Sequence, residues 1–232
     1  MSIQLLRIER RFHGPPDSGN GGYVAGLVAR ALGGSGCTVT LRQPPPLEVP
    51  LTLRSSPDGA ELFEGDRSIA SAARAELALE IPPPPSLAEA RAAQDRYVGH
   101  HRHHFPACFV CGPEREDGDG LRIFPGNAAG GQVAASWTPA DDLASRDGPV
   151  RTEFLWAALD CPGYFAVEES AGLALLGRMT AVIERIPSAG EPLIISGWAI
   201  SSEGRKHHVG TALHDDQGAR LAYARSTWIS IA

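Results

Sequence analysis

Length, charge and composition set the first limits on this chain. Its 232 residues carry a formal net charge of −6 and are 43% hydrophobic, enough for a packed core without metal or disulfide support. No basic tract is long enough for nucleic acid, and no apolar run approaches the roughly 18 residues of a membrane span. The N-terminal residues are charged where a signal peptide is apolar, so we expect a cytoplasmic protein that binds neither nucleic acid nor membrane.

The four cysteines, Cys37, Cys108, Cys111 and Cys161, are expected to be free thiols, because no secretion signal accompanies them. Cys108 and Cys111 form a Cys-x-x-Cys pair just after four histidines, and two thiolates with two imidazoles could bind zinc. Only one such pair is present, however, and the histidines lie very close to it in sequence. The pattern favours a connector that leads into a strand, and we predict no metal and no cofactor.

The first part of the chain has the pattern of a strand, a helix and a run of antiparallel strands. The helix is predicted over residues 23–32, with Asn20 as its N-cap. Gly21 and Gly22 offer backbone N–H groups at the positive end of this helix, which can bind an anion or polarise a carbonyl oxygen, or they serve only to turn the chain. Strand patterns cover residues 3–13, 38–42, 49–55, 60–64 and 68–81.

The second part shows the same order of elements after a proline run at residues 82–85. A short helix, with Ser86 as its cap, is predicted over residues 86–97, between the proline run and the second part. A longer helix over residues 153–167 is expected to be capped by Thr152. Strands are predicted over residues 121–124, 132–137, 175–185, 192–201, 205–215 and 219–231.

The longer helix carries a carboxylate within an apolar run. Leu155, Ala158 and Leu159 lie on one face at helical spacing, and Asp160 follows them. A carboxylate at this position is either at the mouth of a cleft or buried at a cost, and buried carboxylates gather at functional sites, although an exposed helix Asp is the commoner case. Pro162 predicts a kink or a later helix start.

The two parts resemble each other in sequence as well as in order. Residues 48–54 (EVPLTLR) echo 191–196 (EPLIIS), and residues 68–77 echo 221–228. Two tandem copies imply a pseudo-twofold, with the two sheets joined side by side so that no bare edge remains between them. We expect an N-terminal repeat over residues 1–82, a connector over 83–105 and a C-terminal repeat over 106–232.

These motifs resemble those of a known family. Residues 20–27 (NGGYVAGL) resemble the Gly-Gly helix start of the double-hotdog acyl-CoA thioesterases. Residues 108–113 (CFVCGP) and 120–123 (GLRI) resemble the opening of single-hotdog thioesterases of the phenylacetate-pathway type. The resemblance implies an α+β fold, a double hotdog, in which two long helices pack on one continuous antiparallel sheet.

The resemblance also implies one composite site. In these thioesterases a helix carboxylate follows the Gly-Gly pair, and Asp160 matches that carboxylate. The first helix has residues 29–31 (ARA) where its carboxylate is expected, and residues 151–153 (RTE) replace the glycine pair of the second. Since a hotdog site combines the helix start of one copy with the carboxylate of the other, Gly21, Gly22 and Asp160 would form one site, and the mirror-related site would be inactive.

The activity implied by this resemblance is hydrolysis of an acyl-CoA or another acyl thioester. The Gly21 and Gly22 amides would stabilise the oxyanion, and Asp160 would act as general base toward water or as nucleophile forming an anhydride. Whether double hotdogs pair into a homodimer stays open. Five further residues are candidates for contact with substrate: Asn20, Tyr23, His13, Trp156 and Thr227.

Two other function classes stay open. A non-catalytic protein that binds acyl-CoA or lipid needs only an apolar tunnel. A hotdog dehydratase or hydratase needs a histidine paired with an acid, and His13 before the first helix is a faint match, but that helix lacks the acid.

Overall fold

In the computed structural model, which describes residues 1–146 and 148–231, the chain forms an antiparallel sheet of eleven strands. The first part contributes one helix and five strands: β1 (Ser2–Leu6), α1 (Gly21–Arg30), β2 (Gly36–Leu41), β3 (Leu51–Ser55), β4 (Ala60–Glu64) and β5 (Arg67–Arg74). The later part contributes four helices and six strands: α2 (Leu87–Gln94), β6 (Gly126–Asn127), β7 (Gln132–Trp137), α3 (Thr152–Ala158), α4 (Cys161–Phe165), α5 (Glu168–Ala171), β8 (Ala174–Ile183), β9 (Leu193–Glu203), β10 (Lys206–Asp215) and β11 (Arg220–Ser230). None of the described helices is both long enough and apolar enough to cross a membrane.

The order of the strands repeats on either side of one central pair. The sheet runs β1-β3-β4-β5-β2-β8-β11-β10-β9-β7-β6, so the two copies meet where β2 pairs with β8. Val39 faces Met179 across this pair, and the Thr38 and Thr180 hydroxyls are hydrogen bonded at 2.7 Å. The expected α+β double hotdog with one continuous sheet is confirmed, and the join leaves no bare edge between the copies.

The helices α1 and α3 cross at two glycines on the buried side of the sheet. A Cβ added to Gly26 would lie 2.6 Å from the Cα of Glu153, and one added to Gly22 would lie 2.5 Å from the Cβ of Asp160. Both distances are below any real Cβ contact, so only glycine allows the two helices to approach this closely. Nearly all of α1 is buried as a result, including Val24 and Val28 at 0% exposure.

The long helix predicted over residues 153–167 is broken at Asp160, as the kink prediction for Pro162 requires. α3 ends at Ala158 and α4 begins at Cys161, because proline has no N–H to donate to the carbonyl four residues earlier. The predicted cap at Thr152 is wrong. Thr152 is already the first helical residue, and no side chain caps the helix. The negative charge of Glu153 in the first turn interacts favourably with the helix dipole instead.

Three of the predicted strands differ from the structure, whereas the helix predicted in the connector is present. The strand predicted over 3–13 ends at Leu6, and the one over 68–81 ends at Arg74. Residues 121–124 form no strand; their backbone instead donates to the carbonyls of residues 109 and 110 at 2.8 and 2.9 Å. The helix α2 begins with the predicted Ser86 cap, which forms a capping box with Glu89.

The crossing of α1 and α3 generates a stability prediction for Gly26→Ala. The new methyl group meets the backbone of Glu153, so overpacking should cost about 1–3 kcal/mol, more than the about 1 kcal/mol gained from better helix propensity. We expect a lower midpoint of urea unfolding with an unchanged m-value. A variant as stable as the parent would show that the helices can move apart at no cost.

Candidate active site

Asp160 lies at the break between α3 and α4, and the first turn of α1 binds its side chain. Its Oδ2 accepts hydrogen bonds from the Gly22 N–H and from the Asn20 Nδ2, each at 3.0 Å. The residue is 1% exposed. Among the residues that the structure describes, its Oδ1 has no hydrogen-bond partner. One carboxylate oxygen is therefore held by two donors, and the other has none in this part of the chain.

Asn20 connects the helix cap to the carboxylate. Its Oδ1 accepts from the Tyr23 N–H at 2.9 Å, the arrangement of an N-cap, and its Nδ2 donates to Asp160. Because the cap fixes which end of the amide is the acceptor, the amide must present its donor to the carboxylate. Asn20 thus caps α1 and positions Asp160 at the same time.

The surroundings of Asp160 raise its pKa to about 7. Burial is the main cause, since it disfavours the charged form, and the nearby Cys108 adds to it. The hydrogen bonds from Gly22 and Asn20 act in the opposite direction and favour the carboxylate. A carboxyl group with a pKa near neutral can take up and release a proton during a reaction at pH 7.

Asp160 lines a small apolar cavity of about 60 Å³, together with Gly21 and Tyr164. A neighbouring groove of about 210 Å³ shares Gly21 and Leu176 with this cavity and continues along Leu41 on β2. Larger depressions of about 650 and 700 Å³ lie elsewhere on the surface, and neither includes Asp160. The small cavity and its groove are therefore the place where a substrate can meet the carboxylate.

The two predicted glycines have different surroundings. The Gly22 N–H is already bonded to Asp160, so it positions the carboxylate rather than meeting a substrate oxygen. The Gly21 N–H, at the first position of α1, has no hydrogen-bond partner in the described part of the chain, and Gly21 lines both the cavity and the groove. Of this pair, only the Gly21 N–H is therefore without a partner among the described residues, and its role as an oxyanion donor stays a prediction.

The remaining predicted residues lie away from the cavity. Tyr23 is stacked on Phe12 with ring centroids 4.3 Å apart, inside the core. His13 contacts the Gly14 carbonyl through Nδ1 at 3.2 Å. Trp156 is buried against α1, and Thr227 bonds His208 at 3.1 Å. None of these four residues joins Asn20, Gly21 and Asp160 in the cavity lining.

The mirror-related position has different chemistry. Glu153 is 1% exposed, like Asp160, but its Oε1 is paired with the Arg30 Nη1 at 2.8 Å. Arg30 thus stands on α1 and neutralises the carboxylate of α3 near the opposite end of the crossing. This carboxylate is held by an ion pair instead of a glycine amide.

Sequence reasoning did not place three thiols at the cavity wall: Cys108, Cys111 and Cys161. The neighbouring thiols lower the pKa of Cys108 well below its usual range, whereas burial raises the pKa values of Cys111 and Cys161. The Cys-x-x-Cys pair was a visible signal for two of them. Nothing local in the sequence places Cys161 beside that pair.

Known structures share this architecture over the whole chain. An acyl-CoA thioesterase II, TesB2, from Mycobacterium marinum is 13% identical, with a TM-score of 0.62, and the match covers 99% of this chain and 93% of that one. A tesB protein from Mycobacterium avium subs paratuberculosis is 14% identical, with a TM-score of 0.61 and the same coverage. A hot dog fold protein of unknown function from Alicyclobacillus acidocaldarius is 12% identical, with a TM-score of 0.66, over 99% of this chain and 93% of that one.

No family model and no curated protein sequence matches the chain. At these identities the structural likeness establishes the fold and leaves the reaction to be argued from the site. The chain has the double-hotdog fold also found in thioesterases of the TesB type.

Proposed function

We propose that this protein hydrolyses an acyl thioester, with acyl-CoA as the expected substrate, at one composite site. The observation that carries the proposal is the buried Asp160 carboxylate, contributed by the second copy and held by Gly22 and Asn20 of the first. One oxygen is fixed, the other is unpartnered, and the pKa is about 7. Within the described residues Glu153 also has an unpartnered buried oxygen, Oε2, but the Arg30 guanidinium pairs with its other oxygen, whereas only neutral groups hold Asp160.

In the proposed reaction the thioester carbonyl lies at the N-terminus of α1. Asp160 Oδ1 takes a proton from water, whose oxygen attacks the carbonyl carbon, while the Gly21 N–H stabilises the oxyanion. When the intermediate collapses, the carbon–sulfur bond breaks and the proton passes from Asp160 to the leaving thiolate. Attack by Oδ1 itself, through an anhydride that water then hydrolyses, uses the same atoms.

The groove along β2 and β8 supports an acyl or pantetheine chain as the part of the substrate outside the cavity. It is lined mainly by apolar residues and prolines, and it meets the cavity at Gly21 and Leu176. The cavity of about 60 Å³ has room for water, whose share of liquid volume is about 30 Å³, but not for a thioester. Binding therefore requires the lining shared by the cavity and the groove, which includes Leu176 and Pro15, to move.

Binding without cleavage is the competing function, and one observation favours it. The Gly22 amide, which a hotdog thioesterase of the expected type would offer to the carbonyl, is already bonded to Asp160. Nothing comparable favours a dehydratase, because His13 contacts a backbone carbonyl rather than an acid.

Replacement of Asp160 by Asn separates hydrolysis from binding. The variant keeps the size of the side chain and its acceptor toward Gly22 but removes the base, so we expect turnover to fall at least 100-fold, within the about 10²–10⁴-fold range of a general base. The measurement is thiol release from short, long and aryl acyl-CoAs, with binding of the same compounds measured by calorimetry.

Glu153→Gln is the matched control, because it neutralises the equally buried carboxylate at the mirror-related position. It should keep turnover within about threefold of the parent. Equal activity in Asp160→Asn and the parent would refute the catalytic role. Binding of acyl-CoAs by the parent with no hydrolysis of any of them would establish the competing function.

Gly22→Ala and Gly26→Ala form a second matched pair on α1. Both methyl groups meet α3, but only the one at position 22 meets Asp160, at 2.5 Å from its Cβ. Because a displacement of about 1 Å in a catalytic group can cost about 100-fold, we expect Gly22→Ala to lose turnover on that scale. Gly26→Ala should lose stability yet keep kcat near the parent value at a temperature where both are folded. Equal kcat losses would indicate that helix packing alone explains the effect.

A further inference from the structure

Three thiols from two parts of the chain converge beside the candidate site. Cys108 and Cys111 lie on one turn, closed by a hydrogen bond from the Gly112 N–H to the Cys108 carbonyl at 2.9 Å. Cys161 is the first residue of α4. All three are buried, and their sulfur atoms lie within 4.8 Å of one another, with Cys108 and Cys161 at 3.9 Å.

The spacing of these sulfur atoms is that of metal ligands. At a zinc–sulfur distance of about 2.3 Å, tetrahedral angles separate two thiolates by about 3.8 Å. The 3.9 Å between the sulfur atoms of Cys108 and Cys161 agrees with this value. The sulfur of Cys111 lies within 4.8 Å of both, so a small inward movement would bring it to the same spacing. Three thiolates favour a soft or borderline ion such as zinc over a hard ion such as magnesium.

Two side chains, His103 and Asn20, point N–H donors at the sulfur atoms. Thiolates need such donors more than neutral thiols do. The Phe105 N–H donates to the His103 Nδ1 at 2.9 Å, so the ring proton must be on Nε2, which lies 3.4 Å from the Cys111 Sγ. The Asn20 Nδ2 lies 3.9 Å from the Cys108 Sγ. These contacts resemble the outer partners that stabilise and orient metal-bound ligands. They also show that His103 serves as a donor to sulfur and not as a ligand itself.

The three thiols and Asp160 line the same cavity. Asp160 is the residue before Cys161 and is 1% exposed. Its Oδ1 has no hydrogen-bond partner within the described ranges 1–146 and 148–231. An unpaired buried oxygen beside three thiols points to a ligand or a bound water at this place. Three protein ligands with an open fourth position is the pattern of an accessible zinc site rather than a closed structural one.

We propose that Cys108, Cys111 and Cys161 bind one zinc ion as thiolates, with the fourth position of the ion facing the cavity beside Asp160. Each sulfur forms one bond to the ion, and every thiol that was protonated gives its proton to solvent, so no oxidant or reductant is needed. The inference stands on the thiol cluster and does not depend on thioester hydrolysis.

Cobalt binding under reducing conditions tests the proposal in the full chain. After removal of bound metal with a chelator, the parent should take up one Co²⁺ per chain and show the thiolate-to-cobalt absorption in the near ultraviolet. Zinc should displace the cobalt and abolish this band. Cys161→Ser and Cys108→Ser should each bind Co²⁺ at least about 100-fold more weakly, since a lost ligand costs more than the 10–100-fold of an outer partner.

Cys37→Ser is the matched control, because Cys37 is also a buried free thiol but lies on β2, away from the cluster. It should bind Co²⁺ like the parent, and His103→Ala should keep the metal with about 10–100-fold weaker affinity. The proposal is overturned if the fully reduced parent binds no Co²⁺, or if Cys161→Ser and Cys37→Ser bind it equally well.

Discussion

The close crossing of α1 and α3 is the constraint on which the rest of the site depends. Pairing of β2 with β8 places the two helices side by side, and Gly22 lets α3 approach until the Asp160 carboxylate meets the first turn of α1 at 3.0 Å. The same closeness buries the carboxylate, which is 1% exposed. Burial then raises its pKa to about 7, while the Gly22 and Asn20 donors keep its charged form accessible. Packing, proton affinity and orientation are therefore consequences of one contact.

The two copies share a topology but not a chemistry. Each contributes a central helix and an antiparallel run, and each end of the helix crossing holds a buried carboxylate, Asp160 or Glu153. Arg30 neutralises Glu153 with a charged hydrogen bond, so that carboxylate is committed to an ion pair, whereas Asp160 is held only by neutral donors. This difference supports the proposal of a single site in a sheet whose strand order repeats. Where the first helix starts with Gly21 and Gly22, the second starts with Thr152 and Glu153, and the Glu153 charge is paired with Arg30.

Much of this fold could be predicted from the sequence, because its signals are local. The Asn20 cap, the break at Pro162 and the limits of β4 and β7 depend on a few neighbouring residues, and the structure agrees with them. The failures involve distant partners: residues 121–124 pair with a loop instead of the sheet, and Cys161 meets Cys108 across 53 residues of sequence. The sequence pointed to Asn20, Gly21, Gly22 and Asp160 but not to their bonding, since only the packed helices place the Gly22 amide on Asp160. Whether these residues form a catalytic site stays a prediction. The limits at residues 1–82, 83–105 and 106–232 stay a prediction.

The most direct test of one composite site per chain is the stoichiometry of ligand binding. Isothermal titration with a non-hydrolysable thioether analogue of an acyl-CoA that the protein binds measures this number without any assumption about the chemical step. The account predicts one molecule per chain, with binding lost or weakened at least about 10-fold in Gly22→Ala and unchanged in Glu153→Gln. Two molecules per chain, or equal binding by Gly22→Ala and the parent, would contradict it.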